Sequence, residues 1–501
     1  MTTQPDTDTD VVVVGCGPVG LTTAILLGRL GWSVTVLERW PEPYPLPRAV
    51  HFDHEVARIL QSCGIGTELR SITEPADIYE WRNGEGVVLL RFGQIGDGPS
   101  GWPAANMFHQ PALEALLEAR CEELTGVEIR RGVEVVGVEQ TPEQVAVLSA
   151  DDTVVTARYA IGCDGANSTV RSVTGLPVTD LGFFYEWLIV DVVLHEPRVF
   201  DPINVQICDP ARPTTVVSGG PGRRRWEFMR LPHESHEELH EESRAWELLA
   251  DWDVHPGNAD IERQAVYTFN ARYTEQWRSG RVLVAGDAAH LMPPFAGQGM
   301  CAGIRDAANM AWKLDHVLAG SASDDLLDTY QTERLPHVRQ AIDFSMELGR
   351  VICVPDPDEA AARDEAMSAM VGDEVADTPP LPALDAGLID IDSPHAGHLF
   401  VQGSVDGRLA DDVFGAGWRL YTDLASPVDP HIERWFESIG GRIVHLGDPD
   451  STYRRWFDEH HTHWALQRPD FILYGTAASA RDATALLERL RRDLAGTRSR
   501  G

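Results

Sequence analysis

Basic residues are scarce in this chain: 42 Lys and Arg stand against 77 Asp and Glu, a formal net charge of −35 over 501 residues. Such a field repels nucleic-acid phosphates and anionic lipid surfaces, so neither is an expected partner. An anionic small molecule is not excluded, because a local cluster such as Arg223, Arg224 and Arg225 overrides the average at short range. Long apolar runs are also missing. The stretch VVVVGCGPVGL (11–21) is too short and too glycine-rich to span a bilayer, and no basic segment precedes it, which points to a cytoplasmic protein. The seven cysteines (16, 63, 121, 163, 208, 301 and 353) form an odd set without a CxxC pair, so neither a disulfide framework nor a metal site is expected.

What is present is a large globular chain, 43% hydrophobic, long enough for roughly three domains at about 150 residues each. Val11–Val14 reads as a buried strand, Gly15-Cys16-Gly17-Pro18-Val19-Gly20 as a tight turn and Leu21–Leu30 as a helix closed by Gly31. A second strand, Ser33–Leu37, ends at Glu38. This is the start of a βαβ dinucleotide site. Gly15 permits the turn, Gly17 lets a pyrophosphate approach the backbone, and Gly20 allows helix to pack on strand. The helix N-terminus offers unpaired N–H groups to phosphate, and Glu38 is placed to accept from a ribose. The motif alone does not choose between FAD and NAD.

Two later stretches bear on that choice. Arg158–Ile161 leads into CDGANSTVR (163–171), where Asp164 sits in a glycine-flanked turn suited to a polar contact with a ligand or to an ordinary Asx-turn. Arg281–Ala285 leads into GDAAHLMPPFAGQG (286–299), followed by a helical pattern from Ala302 through Leu314, so a second helix N-terminus lies just after Gly297. Such a terminus stabilises negative charge on a reduced flavin as it does on a phosphate.

These motifs (GCGPVG with Glu38, CDGANSTVR, and GDAAHLMPP with GQG and DAANMAWKL) in this order resemble the class A flavoprotein aromatic hydroxylases, over about residues 10–345. Within them PRAVHFDHEVAR (47–58), RRRWEFMRLP (223–232), YTFNAR (267–272) and DTYQTERLPH (328–337) are most similar to the branch that hydroxylates 3-(3-hydroxyphenyl)propionate. The resemblance implies FAD as cofactor, NADPH or NADH as transient reductant, and O2 as co-substrate. A flavin C4a-hydroperoxide would hydroxylate a phenol ortho to its hydroxyl, with 3-(3-hydroxyphenyl)propionate or a similar phenolic acid the expected substrate. It also implies an α/β fold with α+β elements: a Rossmann-like FAD-binding domain (1–177 and 276–353), an inserted antiparallel-sheet substrate domain (178–275), a linker (354–384) and a thioredoxin-like C-terminal domain (385–501).

Residue by residue, the resemblance assigns Gly15, Gly17, Gly20, Glu38 and Arg39 to the ADP half of FAD, and Arg48 and Gln110 to the pyrophosphate and ribityl region. Asp164 and Asp287 would contact the middle of the cofactor, Asp287 through the ribityl chain, and the backbone at Gly299 and Met300 the flavin pyrimidine edge. Pro293-Pro294 would border the substrate ring, which makes Pro294 both a catalytic and a substrate-contact candidate. For deprotonating the phenol the chain offers His51, whose ordinary pKa suits proton relay, although a merely packed histidine is an equal alternative; Asp53 is second. The catalytic acid of phenol hydroxylase falls in register on Val50, so its chemistry does not transfer. His290 is expected only to organise its turn.

Between about 178 and 275 the apolar residues alternate, as in WLIVDVVL, NVQIC and WEFMRLP, with SGGPG as a hairpin turn. The pocket candidates there are Trp187, Gln206, Trp226 and Phe228, the last two on one face by alternation. No second Rossmann fingerprint occurs, so the nicotinamide is expected to bind transiently. The tail RPDFILYG (468–475) resembles the thioredoxin-like end of these hydroxylases, yet no cysteine follows Cys353, so dithiol chemistry is excluded there. A structural or oligomerisation role is favoured, and a homodimer is allowed. Three rival readings stand beside this: a flavin-dependent halogenase, whose GWxWxIP signature is absent; a flavoprotein binding aromatic ligands without turnover; and a hydroxylase of larger polyketide or antibiotic substrates. Cys301, where many relatives carry Asn, reads as a small thiol packed under the ring.

Overall fold

Valine-rich runs bounded by glycine build the first layer. In the computed structural model, which describes residues 7–370, 375–376, 381–447 and 452–496, Thr9–Val14 is the central strand of a sheet. It pairs in parallel with Val34–Glu38 on one side and Val154–Gly162 on the other. Val127–Arg131 and Val282–Val284 extend the parallel register outward. Such strands are covered on both faces, which is why they read as unbroken apolar runs. Val11, Val12 and Val13 are completely buried. The helices Pro18–Arg29 and Gly299–Leu318 pack on this sheet.

A second, eight-stranded sheet runs in the order His290–Leu291, Ala259–Thr274, Val178–Leu194, Arg223–Met229, Thr214–Ser218, Asn204–Ile207, Ile78–Arg82, Val88–Gly93. Ser218 to Arg223 closes the expected SGGPG hairpin. The alternating segments are strands, but the sheet is wider than the 178–275 insertion: Ile78–Arg82 joins it in parallel with Asn204–Ile207. Residues 78–93 therefore pair with the sheet that the sequence reading confined to the insertion.

The segment read as a linker is partly ordered. Asp356 caps a helix, Pro357–Ser368, by accepting from the Asp358 and Glu359 N–H groups, and Arg363 donates to the Cys208 carbonyl (2.5 Å) at the rim of the second sheet. Most of the TPPLP stretch (378–380) lies outside the described residues.

At the C-terminal end a four-stranded sheet has the order Arg442–His445, Arg419–Thr422, Trp464–Gln467, Leu473–Ala477. Its first two strands are parallel and the others antiparallel, with helices at Pro430–Ser438, Thr452–Glu459 and Ala480–Ala495. This βαβαββα connectivity is compatible with the thioredoxin-like unit expected there. The unit is joined to the rest of the chain by buried charge. Arg58 grips Asp411 through Nε and Nη2 (2.6 and 3.1 Å). Arg468 donates to Glu333 and Asp470 (both 2.6 Å), and Lys313 Nζ lies 2.8 Å from Glu333.

Breaking a buried pair leaves an uncompensated charge, which typically costs about 3–5 kcal/mol. Arg468→Met should therefore lower unfolding stability by that order, read as a fall in the denaturant midpoint. An unchanged midpoint would mean that the cluster contributes nothing net.

Candidate active site

The N-terminal glycines are placed by steric need. Gly15 has φ +105°, and a Cβ there would lie 2.4 Å from the Cys163 carbonyl oxygen. A Cβ on Gly20 would meet the Gly15 oxygen at 2.1 Å, so helix and turn pack only without side chains. Gly17 differs: nothing lies within 4 Å of its Cβ position. That open position, at the head of a helix with no side-chain cap, is the cradle a pyrophosphate fits. Glu38, at the end of the second strand, accepts from the Cys16 N–H and the Trp40 N–H (both 2.9 Å), which holds its carboxylate beside the turn. Arg39 lies over the exposed Trp40 ring, 5.3 Å to the centroid.

Asp164 shapes the neighbouring loop. Its two oxygens accept from Ser168 Oγ (2.5 Å) and the Val170 N–H (3.0 Å), so both are engaged in its own turn. Gln110 is buried; it accepts from the Ala49 N–H (2.7 Å) and donates to Glu114 (2.6 Å). Glu114 in turn lies 3.3 Å from Arg48, whose guanidinium is half exposed. Gln110 thus aims the segment that carries Arg48. Across the cleft, Asp287 is exposed, yet the surrounding protein raises its pKa by desolvation while the Arg48 charge opposes this.

The stretch 286–299 is clamped from below. Asp306, fully buried, accepts from the Gly286 N–H (3.1 Å) and from Arg334 Nε (2.9 Å), and lies 2.7 Å from His290 Nε2. Burial disfavours its charge, but His290 and Arg334 hold its carboxyl below the usual range. His290 is therefore an organiser of the turn, as expected. The clamp delivers Gly299–Leu318 to the cleft with no side-chain cap at Gln298, leaving the first N–H groups at Gly299 and Met300 for a ligand. An open glycine cradle and two uncapped helix starts, with Glu38, Arg48 and Asp287 between them, fit an extended dinucleotide better than a single phosphate.

The comparisons agree. The model of the FAD binding domain family matches residues 8–345. A probable NADH-specific resorcinol 4-hydroxylase of Rhodococcus jostii (strain RHA1) is 40% identical, covering 96% of this chain and 94% of its own. A 3-(3-hydroxy-phenyl)propionate/3-hydroxycinnamic acid hydroxylase of Mycobacterium sp. (strain JLS) is 35% identical over 96% of this chain and 91% of its own. The solved structure of aklavinone-11 hydroxylase with FAD and aklavinone superposes with a TM-score of 0.75 at 25% identity, covering 98% of this chain and all (100%) of that one. The chain belongs to the FAD-dependent aromatic hydroxylases. It is an FAD-dependent monooxygenase that takes its electrons from a reduced nicotinamide.

In this hydroxylase the residues expected around the substrate divide sharply. His51 starts a short strand, His51–Asp53, with Nδ1 3.4 Å from the Gly297 oxygen. Burial lowers its pKa, and Asp53 only partly opposes that. Gly297 has φ +63°, and a Cβ there would lie 2.9 Å from the ring, so the glycine makes room for His51. Pro294 is exposed at the start of a short 3-10 turn, Pro294–Ala296. The next residue, Phe295, packs edge-on against Trp187 (5.7 Å between centroids) and Phe269 (5.7 Å). Trp187, fully buried, supports the proline turn from behind. Gln206 is buried on the same face and accepts from Thr215 Oγ1 (2.6 Å) and Tyr79 (3.3 Å).

Two expectations are corrected, one for Trp226 and Phe228 and one for Asp53. Trp226 and Phe228 do share a face, but it is the outer one: both pack with Leu188, Val190, Leu239 and Leu249 beneath the helices His236–His240 and Glu242–Leu249. They are core residues remote from the cleft. Asp53 is no proton relay. It caps the helix His54–Leu60 through the Val56 N–H (3.1 Å) and pairs with Arg305 Nη2 (2.5 Å), which holds it ionised despite its burial. Arg305 and Asp306 are organisers that the motifs did not single out; their signal is a charged pair among the small and apolar residues of the first half of the helix. Cys301 is fully buried with its thiol pKa raised by burial, so it is no thiolate nucleophile toward flavin.

The two glycines separate fold from cofactor. Gly17→Ala meets no protein atom, so the apoprotein should keep its stability while bound flavin, read from its visible absorbance, falls at least tenfold. Gly15→Ala should lower stability itself. Equal flavin content in Gly17→Ala and wild type would remove the cradle from the site.

Proposed function

We propose that this enzyme hydroxylates a small phenol, ortho to its hydroxyl. A phenolic acid such as 3-(3-hydroxyphenyl)propionate and a benzenediol such as resorcinol are the two substrate classes to weigh. The observation that carries the reading is the pairing of His51 with the exposed Pro294 turn over a largely aromatic sheet face, together with near full-length similarity to two curated hydroxylases of single-ring phenols. A larger polycyclic substrate is the second reading, favoured by the likeness to aklavinone-11 hydroxylase.

FAD supplies the redox chemistry when bound, passing electrons from the nicotinamide to O2 and an oxygen atom to the substrate. In our reading the chain's own residues do the rest. Gly15, Gly17 and Gly20 admit the pyrophosphate, Glu38 accepts from the ribose, and Arg48 and Asp287 orient the ribityl region. The Gly299 and Met300 N–H groups favour negative charge on the flavin ring. His51, neutral at pH 7 because its pKa is lowered, accepts the phenolic proton, which enriches the ring that must attack an electrophilic oxygen. The second sheet closes over the ring and keeps water out.

NADH is favoured as reductant by the NADH-specific relative, and the nicotinamide binds transiently, since the chain carries one dinucleotide fingerprint. Among the described residues no helix is long and apolar enough to cross a membrane. A cytoplasmic location and a homodimer formed through the C-terminal unit remain part of the proposal.

His51→Gln should lower kcat by roughly 100-fold, the usual contribution of a positioned general base, with flavin content unchanged. Because burial lowers the His51 pKa, wild-type activity should be lost only as pH falls below the ordinary imidazole range, and that acid limb should vanish in the variant. Unchanged turnover would take His51 out of the mechanism.

A further inference from the structure

One carboxyl on the inner face of the second sheet is used by nothing described so far. Glu227 lies in the strand Arg223–Met229, opposite Ile189 on one neighbour and Thr215 on the other. Its side chain is 12% exposed. Among the described residues no donor lies within hydrogen-bond distance of it; the nearest cation, Arg225 Nη1, is 3.7 Å away. Burial raises its pKa and Arg225 only partly opposes that. A largely buried carboxyl that has only one long ion pair and no hydrogen bond keeps acceptor capacity for a donor that arrives from elsewhere.

Its position names where that donor arrives. Two residues back along the strand, Arg225 donates to the Arg48 carbonyl (2.6 Å), under the segment that leads to His51. Two residues onward, Met229 pairs with Trp187, which backs the Pro294 turn. Glu227 thus lies between the two segments that border the substrate, about 7 Å along the strand from each neighbour on its face. Tyr79 is close enough for the Glu227 charge to add to the burial that raises its own pKa.

The neighbours are either committed or out of reach. Gln206 accepts from Thr215 and Tyr79. Arg225 holds both oxygens of Asp191 (2.6 and 3.0 Å). Arg263 donates to the Pro47 carbonyl through Nη1 alone; its Nε and Nη2 have no hydrogen-bond partner among the described residues, but its side chain is sealed at 2% exposure, out of a ligand's reach. A ligand carboxylate entering here would meet the carboxylates of Glu227 and Asp191, with Arg225 bound to both Asp191 oxygens and Arg263 buried out of reach. A ligand hydroxyl would find an acceptor.

We propose that Glu227 is the specificity-determining acceptor for a second substrate hydroxyl, so that the pocket selects a neutral dihydroxyarene over a phenol bearing a carboxylate tail. This rests on the reading of the chain as a hydroxylase of single-ring phenols and chooses between its two substrate classes. The step is recognition only: the hydroxyl donates to the carboxylate, and no bond is made or broken.

The test titrates FAD-loaded enzyme with benzene-1,3-diol, phenol and 3-(3-hydroxyphenyl)propionate, reading perturbation of the flavin spectrum, with turnover and product measured in parallel. Wild type should bind the diol roughly 10- to 100-fold more tightly than phenol, the range of one charge-assisted hydrogen bond. Glu227→Ala should bring that ratio close to one with flavin content kept. Should Glu227→Ala fail to fold, the near-isosteric Glu227→Gln decides: the ratio should fall several-fold and the arylpropionate should bind more tightly as the repulsion goes. A diol-to-phenol ratio unchanged in the folded variants overturns the assignment, even where product forms and the hydroxylase reading holds. Selective diol binding that depends on Glu227 without any hydroxylated product would leave the assignment standing and overturn the reading of function instead.

Discussion

The site depends on one close contact between two helices. Val19, in the helix Pro18–Arg29, fills the space beside Gly286 and Gly303, where a Cβ on Gly303 would lie 2.6 Å from Val19 Cγ2 and 3.0 Å from the Gly286 Cα. Only glycine at these positions lets the helix Gly299–Leu318 draw this near. Two uncapped N-termini then face one cleft, and their partial positive charges add where an anionic cofactor needs them. Val19 and two glycines roughly 270 to 280 residues further along the sequence thus act as one packing unit.

Holding that geometry takes buried charge. Asp306 pins the turn to two helices at once, and Arg305 ties Asp53 (2.5 Å) and Glu55 (2.6 Å) to the helix beneath the flavin cleft. Ion pairs taken out of water return little net stability, so their contribution here is orientation. The consequence reaches His51: its strand ends in the Asp53 cap, and its ring lies against Gly297, so both sides of the ring are fixed by groups that Arg305 or Asp306 anchors.

Local chemistry made much of this legible in the sequence. The βαβ start, the hairpin at SGGPG and the helix after GQG each follow from residues adjacent in the chain. What eluded it needed tertiary knowledge. Alternation placed Trp226 and Phe228 on a common face but says nothing about which side of the sheet the flavin lies on; two short helices at 236–249 cover their side instead. Asp53 looked like an acid near a histidine; its cap on the Val56 N–H is local, but the ion pair that holds it ionised comes from an arginine some 250 residues on. The same period-2 rule puts Glu227, between those two aromatics in RRRWEFMRLP, on the opposite, inner face, and alternation alone does not say which face meets the substrate.

The central claim is that the two glycine motifs are opposite walls of a single cofactor site. The most direct test is the dinucleotide content of the purified enzyme, measured by releasing the bound nucleotide and quantifying it against protein. One FAD per chain with no retained nicotinamide is the expected result. Two dinucleotides per chain, or NAD(H) retained alongside FAD, would mean that the motifs build separate sites and would contradict the account.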